Sequence, residues 1–219
     1  ANNVWAPFDD EIGTSIECLS PLAIVMRPGS TSGLSIFDAD ARIAQVVMKD
    51  APGGTTVYTR EVDLDATIVE SFFDWFMSDF EQLTDVVLTD LPAQFANCEL
   101  TVTFTGGGMV GVGVLKPGKV IGIGKTKMGA KVGIVSYTKK VRNDFGNLSI
   151  VRRTNSKKNT LAVVTDAKRF NAIYQMLAAL DGVLCVFIGT QRVGFLPLLV
   201  YGFYVDFSID VEYSQTHLC

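Results

Sequence analysis

Gly124-Lys125-Thr126 ends as a phosphate-binding loop ends, with a lysine to meet phosphate charge and a hydroxyl to hold magnesium. Such a loop needs another glycine five positions before Gly124, where Lys119 stands; Gly118 is one residue too early. It must also open a helix whose N-terminal amides face the phosphates, and Lys127-Met128-Gly129-Ala130-Lys131 leads instead towards a strand. Gly111-Val112-Gly113 lacks the third glycine and the following helix of a dinucleotide fingerprint. The only histidine, His217, stands two residues from the last, a poor place for a general base that a third group must hold in a cleft. One histidine and the scattered Cys18, Cys98, Cys185 and Cys219 make no zinc ligand set. Asp9-Asp10-Glu11 and Asp63 with Asp65 could do glycoside chemistry or hold a hard cation. No spacing singles them out, and helix capping explains the second pair. No catalytic, cofactor-binding or metal-binding residue is assigned, and the chain is expected not to be an enzyme.

The chemistry that is concentrated is positive charge. Residues 1–115 carry 17 acidic and 4 basic side chains, residues 116–169 carry 2 and 14, and residues 170–219 carry 4 and 1, so a net charge of −4 conceals a basic middle. Within it, Lys125, Lys127, Lys139, Lys140, Arg142, Arg152, Arg153, Lys157 and Lys158 form a candidate basic patch for subunit contacts. Nucleic-acid contact needs clustered cations, but aromatics for base stacking are nearly absent: Tyr137 and Phe145 are the only two before Phe170. A sequence pI of about 5.0 argues the same way. The block is expected to be a solvated face, or to dock head-to-tail on the acidic N-terminal half of another copy. No nucleic-acid partner is expected.

The 219 residues suffice for one large domain or two small ones. Apolar residues make up 48% and charged residues 19%, below the roughly 25% of ordinary soluble domains, which excludes intrinsic disorder. Mean hydropathy is +0.29. The longest mainly apolar stretch without a charge, Val193 to Val205, is interrupted by Gly194, Pro197 and Gly202, whereas a spanning helix needs about 20 apolar residues. No membrane insertion is expected, and the apolar surplus is assigned to subunit contacts, which resemble a core cut in half. The start, ANNVWAPFDDEIG, has neither the basic residues nor the apolar run of a signal peptide. The cysteines are accordingly expected to be free, mostly buried thiols.

Short strands are expected at Pro21–Met26, Ile43–Met48, Thr55–Val62, Thr101–Phe104, Lys119–Ile123, Lys131–Tyr137 and Leu148–Arg153, separated by turn residues, with Asp144–Asn147 as the turn before the last. Tyr201–Tyr213 is the longest strand-like run, with Phe203, Val205, Phe207, Ile209 and Val211 on one buried face. One helix is expected after Asp65, with Ile68, Phe72, Trp75, Phe76 and Phe80 as a core-facing stripe. A second is expected after Asp166, with Phe170, Ile173, Tyr174 and Leu177 on one face and Gly182 as its stop. The fold class is therefore β-rich α+β, antiparallel sheets with two short helices. Two series, Ile43–Met48 to Val86–Leu88 and Leu148–Arg153 to Val183–Ile188, suggest a ββαββ pseudo-repeat, the second with a turn at Asn155–Asn159. This puts a boundary in the glycine-rich stretch and two β-rich domains, each with one helix, at 1–110 and 111–219.

Three segments carry a family resemblance. Gly122-Ile-Gly-Lys-Thr-Lys-Met-Gly-Ala-Lys-Val-Gly-Ile-Val-Ser-Tyr137, then Asp144-Phe-Gly-Asn-Leu-Ser-Ile-Val-Arg-Arg153 with Ser156-Lys-Lys158, and Val200-Tyr-Gly-Phe-Tyr-Val-Asp-Phe-Ser-Ile-Asp210 resemble the C-terminal half of tail-tip (distal tail, baseplate) proteins of long-tailed bacteriophages and prophages. The likeness spans about residues 120–219, about 45% of the chain, and is one of strands and turns. It implies a virion structural protein made in the bacterial cytoplasm, assembled as a ring or closed oligomer. Its partners would be copies of itself and the tube, hub, fibre or receptor-binding proteins, with nucleic acid only passing through the lumen. The rival expectation is a carbohydrate- or cell-surface-binding β-module, which would need exposed aromatics; Trp5 and Trp75 are the only tryptophans, and Trp75 is expected in the core.

Overall fold

A computed structural model describes residues 3–11, 13–67, 70–77, 82–127, 129–142, 148–190 and 195–207. The chain is a β-rich α+β protein in which every strand pairing among the described residues is antiparallel. It divides into two compact units, Ala1–Gly122 and Ile123–Cys219. The break expected at 110/111 on glycine content would fall inside a strand, Met109–Gly118.

The first unit holds β1 (Ile16–Leu19), β2 (Leu22–Met26), β3 (Gly33–Asp40), β4 (Ile43–Lys49), β5 (Thr56–Asp63), α1 (Phe72–Met77), β6 (Val86–Leu88), β7 (Glu99–Thr105) and β8 (Met109–Gly118). They form two four-stranded sheets, ordered β1-β8-β3-β6 and β2-β7-β4-β5. Alternation in β7 points Leu100, Val102 and Phe104 inward, opposite Met48, Val46 and Ala44 of β4. Leu34, Ile36, Val110, Val112 and Leu115 of the other sheet join the same core, so the sheets pack face to face.

The glycines of β8 let neighbouring strands come close. Asp38 has φ of 54°, and a Cβ on Gly113 would lie 2.8 Å from the Asp38 Cβ. The alternation changes phase there in both strands: Leu34 and Ile36 face the core before Asp38 and Ala39 after it, while Val112 and Leu115 do so on either side of Gly113. A left-handed residue opposite a glycine thus lets both strands change phase together.

The second unit holds β9 (Lys125–Thr126), β10 (Lys131–Ser136), β11 (Lys139–Arg142), β12 (Leu148–Val151), β13 (Asn155–Thr160), β14 (Val163–Val164), α2 (Phe170–Ala179), β15 (Cys185–Ile188) and β16 (Leu199–Gly202). Among the described residues all sheets here are two-stranded. The series expected to repeat pair differently: β4 pairs with β5, whereas β12 pairs with β11 and β13 with β10. Asn155–Asn159, expected as a turn, is therefore strand. Lys119–Ile123 forms no strand beyond the end of β8. The run expected to be strand from Tyr201 ends at Gly202; Phe203 and Val205 are exposed, and 208–213 lie outside the described residues.

The second helix begins at Phe170 after a 3-10 turn at Ala167–Arg169, and the Asp166 carboxylate accepts from the Lys168 amide (3.4 Å) at the start of that turn. Its Ile173 and Leu177 are buried while Tyr174 is exposed, and Gly182 has φ of 70°. Among the described residues, 24 apolar side chains are buried in the first unit and five (Ile173, Leu177, Leu198, Leu199, Tyr201) in the second.

Candidate functional site

All nine cations of the sequence-derived patch lie on one structural feature. Strands β9, β10 and β11 run out, and β12, β13 and β14 run back, as a two-stranded ribbon between Lys125 and Val164. Backbone bonds bridge its breaks: the Lys127 amide donates to the Ala162 carbonyl (2.8 Å) and the Tyr137 amide to that of Thr154 (3.3 Å). The turn expected at Asp144–Asn147 lies outside the described residues.

Directly opposed residues share a face of the ribbon, which places cations beside aliphatic side chains. Lys157 stands opposite Ile134, Lys139 opposite Val151, Lys140 opposite Ile150 and Arg142 opposite Leu148. Arg152 and Arg153 lie between β12 and β13, Lys158 in β13, and Lys125 in β9. Apolar exposure accompanies the charge: Ile134 is 73% exposed, and Tyr137, Leu148, Ile150 and Val151 each more than half. Residues 125–164 contain ten Lys and Arg and one carboxylate, Asp144. Near the ribbon's base the Thr126 hydroxyl donates to the Gly189 carbonyl (3.0 Å) and the Asn159 amide to that of Pro197 (2.7 Å), tying it to the loops around β15 and β16.

A second exposed surface was not foreseen. Phe72, Trp75 and Phe76 were expected in the core, yet they are 79%, 65% and 66% exposed. They pack on one another, with ring centroids 5.2 Å apart for Phe72–Phe76 and 4.9 Å for Trp75–Phe76. The signal was present in Phe72-Phe73-Asp74-Trp75-Phe76-Met77, where apolar residues surround the helix instead of forming one stripe. Asp65 does not cap α1; its carboxylate accepts from the Thr67 amide (2.9 Å), and these bonds hold its pKa below the usual carboxylate value. Ile68 and Phe80, the outer members of the expected stripe, lie outside the described residues.

Several other polar and charged groups are engaged structurally. Lys125 and Thr126, which ended the apparent phosphate loop, form β9 against β14. Asp9 accepts from the Thr14 hydroxyl (2.9 Å), and Asp10 pairs with Lys116, whose pKa burial lowers. Asp63 accepts from the Asp65 amide (3.0 Å). Asp90 takes a hydrogen bond from the Tyr58 hydroxyl (2.9 Å) and an ion pair from Arg60 (2.7 Å). Cys18, Cys98 and Cys185 are free thiols, but only Cys98 is fully buried; burial raises the pKa of Cys98 and Cys185. His217 and Cys219 lie outside the described residues. Among the described residues no cluster of three or more His, Cys, Asp or Glu gathers, and no helix is long and apolar enough to cross a membrane.

Comparison with known proteins gives no match, whether with family models, curated proteins or solved structures.

Proposed function

We propose that this chain is a structural subunit of a bacteriophage tail tip or baseplate. In this reading it assembles with copies of itself into a ring or closed oligomer on the virion, joining the tail tube to hub, fibre or receptor-binding proteins, and catalyses nothing. The observation that carries the self-assembly is the ribbon from Lys125 to Val164, where exposed aliphatic and basic side chains stand opposite one another on a unit with five buried apolar residues among those described. A two-stranded hairpin is at best marginally stable alone in water. A unit built largely of one reaches ordinary stability by covering it with a partner. The resemblance of residues 120–219 to tail-tip proteins supplies the setting.

Size-exclusion chromatography with light scattering tests the assembly, and imaging of assembled particles tests the location. Discrete multimers at micromolar concentration support the reading, and a single copy at every concentration sinks it. The exposed Phe72, Trp75 and Phe76 favour a second reading, a glycan- or cell-surface-binding module, since such modules stack sugars on exposed rings. Quenching or shifting of Trp75 emission by host-wall glycans, in a protein that stays monomeric, would select it.

A further inference from the structure

The ribbon and the α1 surface are complementary in charge and alike in lacking cover. We infer that the ribbon of one copy docks on the α1 face of the first unit of a neighbouring copy. The inference rests on the self-assembly reading and adds the two surfaces that meet.

The ribbon sets the chemistry of its partner. Lys140 and Arg142 share a face with Ile150 and Leu148, while Lys139 and Val151 occupy the other, so both faces present cation and aliphatic together. A polynucleotide would neutralise the charge but leave the branched aliphatics wet, and Tyr137 is the only described aromatic on the ribbon to stack a base. An apolar protein surface set in negative charge satisfies both.

The chain itself carries such a surface. Residues 1–122 hold 17 acidic and 6 basic side chains, a formal charge of −11, against +7 for residues 123–219. On that acidic unit α1 exposes Phe72, Phe73, Trp75, Phe76 and Met77, with Glu70 exposed beside them. The rings can take the ribbon's aliphatic side chains and offer faces to Lys140 and Arg142. Because the two surfaces differ, their contact is heterologous and propagates from copy to copy, giving a ring where the rotation between copies closes.

The test mixes two variants of the full chain, Ile150→Cys and Phe76→Cys, under mild air oxidation, and identifies linked peptides by mass. A disulfide between position 150 of one copy and position 76 of another is expected. In parallel, Lys140→Glu with Arg142→Glu should weaken self-association at least tenfold, and adding Glu70→Lys should restore part of it. Both ribbon positions are exposed, so the far-ultraviolet spectrum should not change. Multimers without that link and indifferent to the charge reversals would overturn the docking while leaving self-assembly intact. A single copy at every concentration would remove both. A 150–76 link formed only within one chain, when a double variant is oxidised at high dilution, would overturn the contact between copies. Submicromolar binding of duplex DNA by a monomer, lost in Lys140→Glu with Arg142→Glu, would overturn it in favour of nucleic acid.

Discussion

Asp38 adopts φ of 54°, a region that costs a residue with a Cβ about 1–2 kcal/mol, and Gly113 opposite it leaves the space that conformation uses. Gly113→Ala would push a methyl group to 2.8 Å from the Asp38 Cβ and 3.3 Å from the Phe37 carbonyl, between two backbones that cannot both yield. It should lower the stability of the first unit by about 1–3 kcal/mol, read as a lower urea midpoint at unchanged slope. Asp65 offers a test in pH. Its carboxylate is bound by Thr67 and its folded pKa is depressed, so its contribution is present above the unfolded value and lost as pH falls through the folded one. Urea midpoints of the native protein and of Asp65→Asn should therefore differ at neutral pH and converge in strong acid; a difference that persists in acid would assign the effect to packing. Cys98 is buried, donates to the Gly29 carbonyl at 2.9 Å, and has its thiol pKa raised by desolvation. A maleimide should label it only at the rate at which the first unit unfolds.

Elements with clean periodicity were legible: β4, β7 and β10 lie within a residue or two of the alternating runs, and Ile173 and Leu177 of α2 are buried as spaced. What escaped had its period interrupted. Strand β3 changes phase at Asp38, and β8 is written in glycines whose purpose is close approach, so neither reads as alternation and the boundary was drawn through one of them. The basic patch was legible because charge is countable along a chain. That its members share a ribbon depends on β11 and β12 pairing, and the sequence instead suggested a turn at Asn155–Asn159. Helix α1 misled for a third reason: a spacing that fits a buried stripe says nothing of whether a partner in the same chain covers it. The consequence can be measured. Phe104 is fully buried, so Phe104→Ala should cost about 3–5 kcal/mol. Trp75 is mostly exposed, so Trp75→Ala should leave the urea midpoint of the dissociated chain within about 0.5 kcal/mol and act on assembly instead.

At the scale of the whole chain, the two units divide the work of folding unequally. The first has a two-sheet core with Leu34, Ile36, Val46, Leu100, Val102 and Phe104 essentially inaccessible, and it holds 24 of the buried apolar side chains among the described residues. The second has five, with a ribbon whose strands each have solvent on both faces over most of their length. Residues 1–122 produced alone should therefore unfold cooperatively in urea and remain one copy, because the surface they need from a neighbour is the ribbon they lack. Residues 123–219 alone should show rapid amide exchange along 131–142 and 148–160 and a broad transition, since little buried area opposes the entropy of ordering them. Mixing the two pieces should slow exchange on the ribbon. That protection should fall between 0.1 M and 1 M sodium chloride, where the screening length shrinks from about 10 Å to about 3 Å, because the pieces carry formal charges of −11 and +7. If the second piece instead unfolds as sharply as the first and its ribbon exchanges slowly alone, the ribbon's stability is its own, and the main structural reason to place a partner on it disappears.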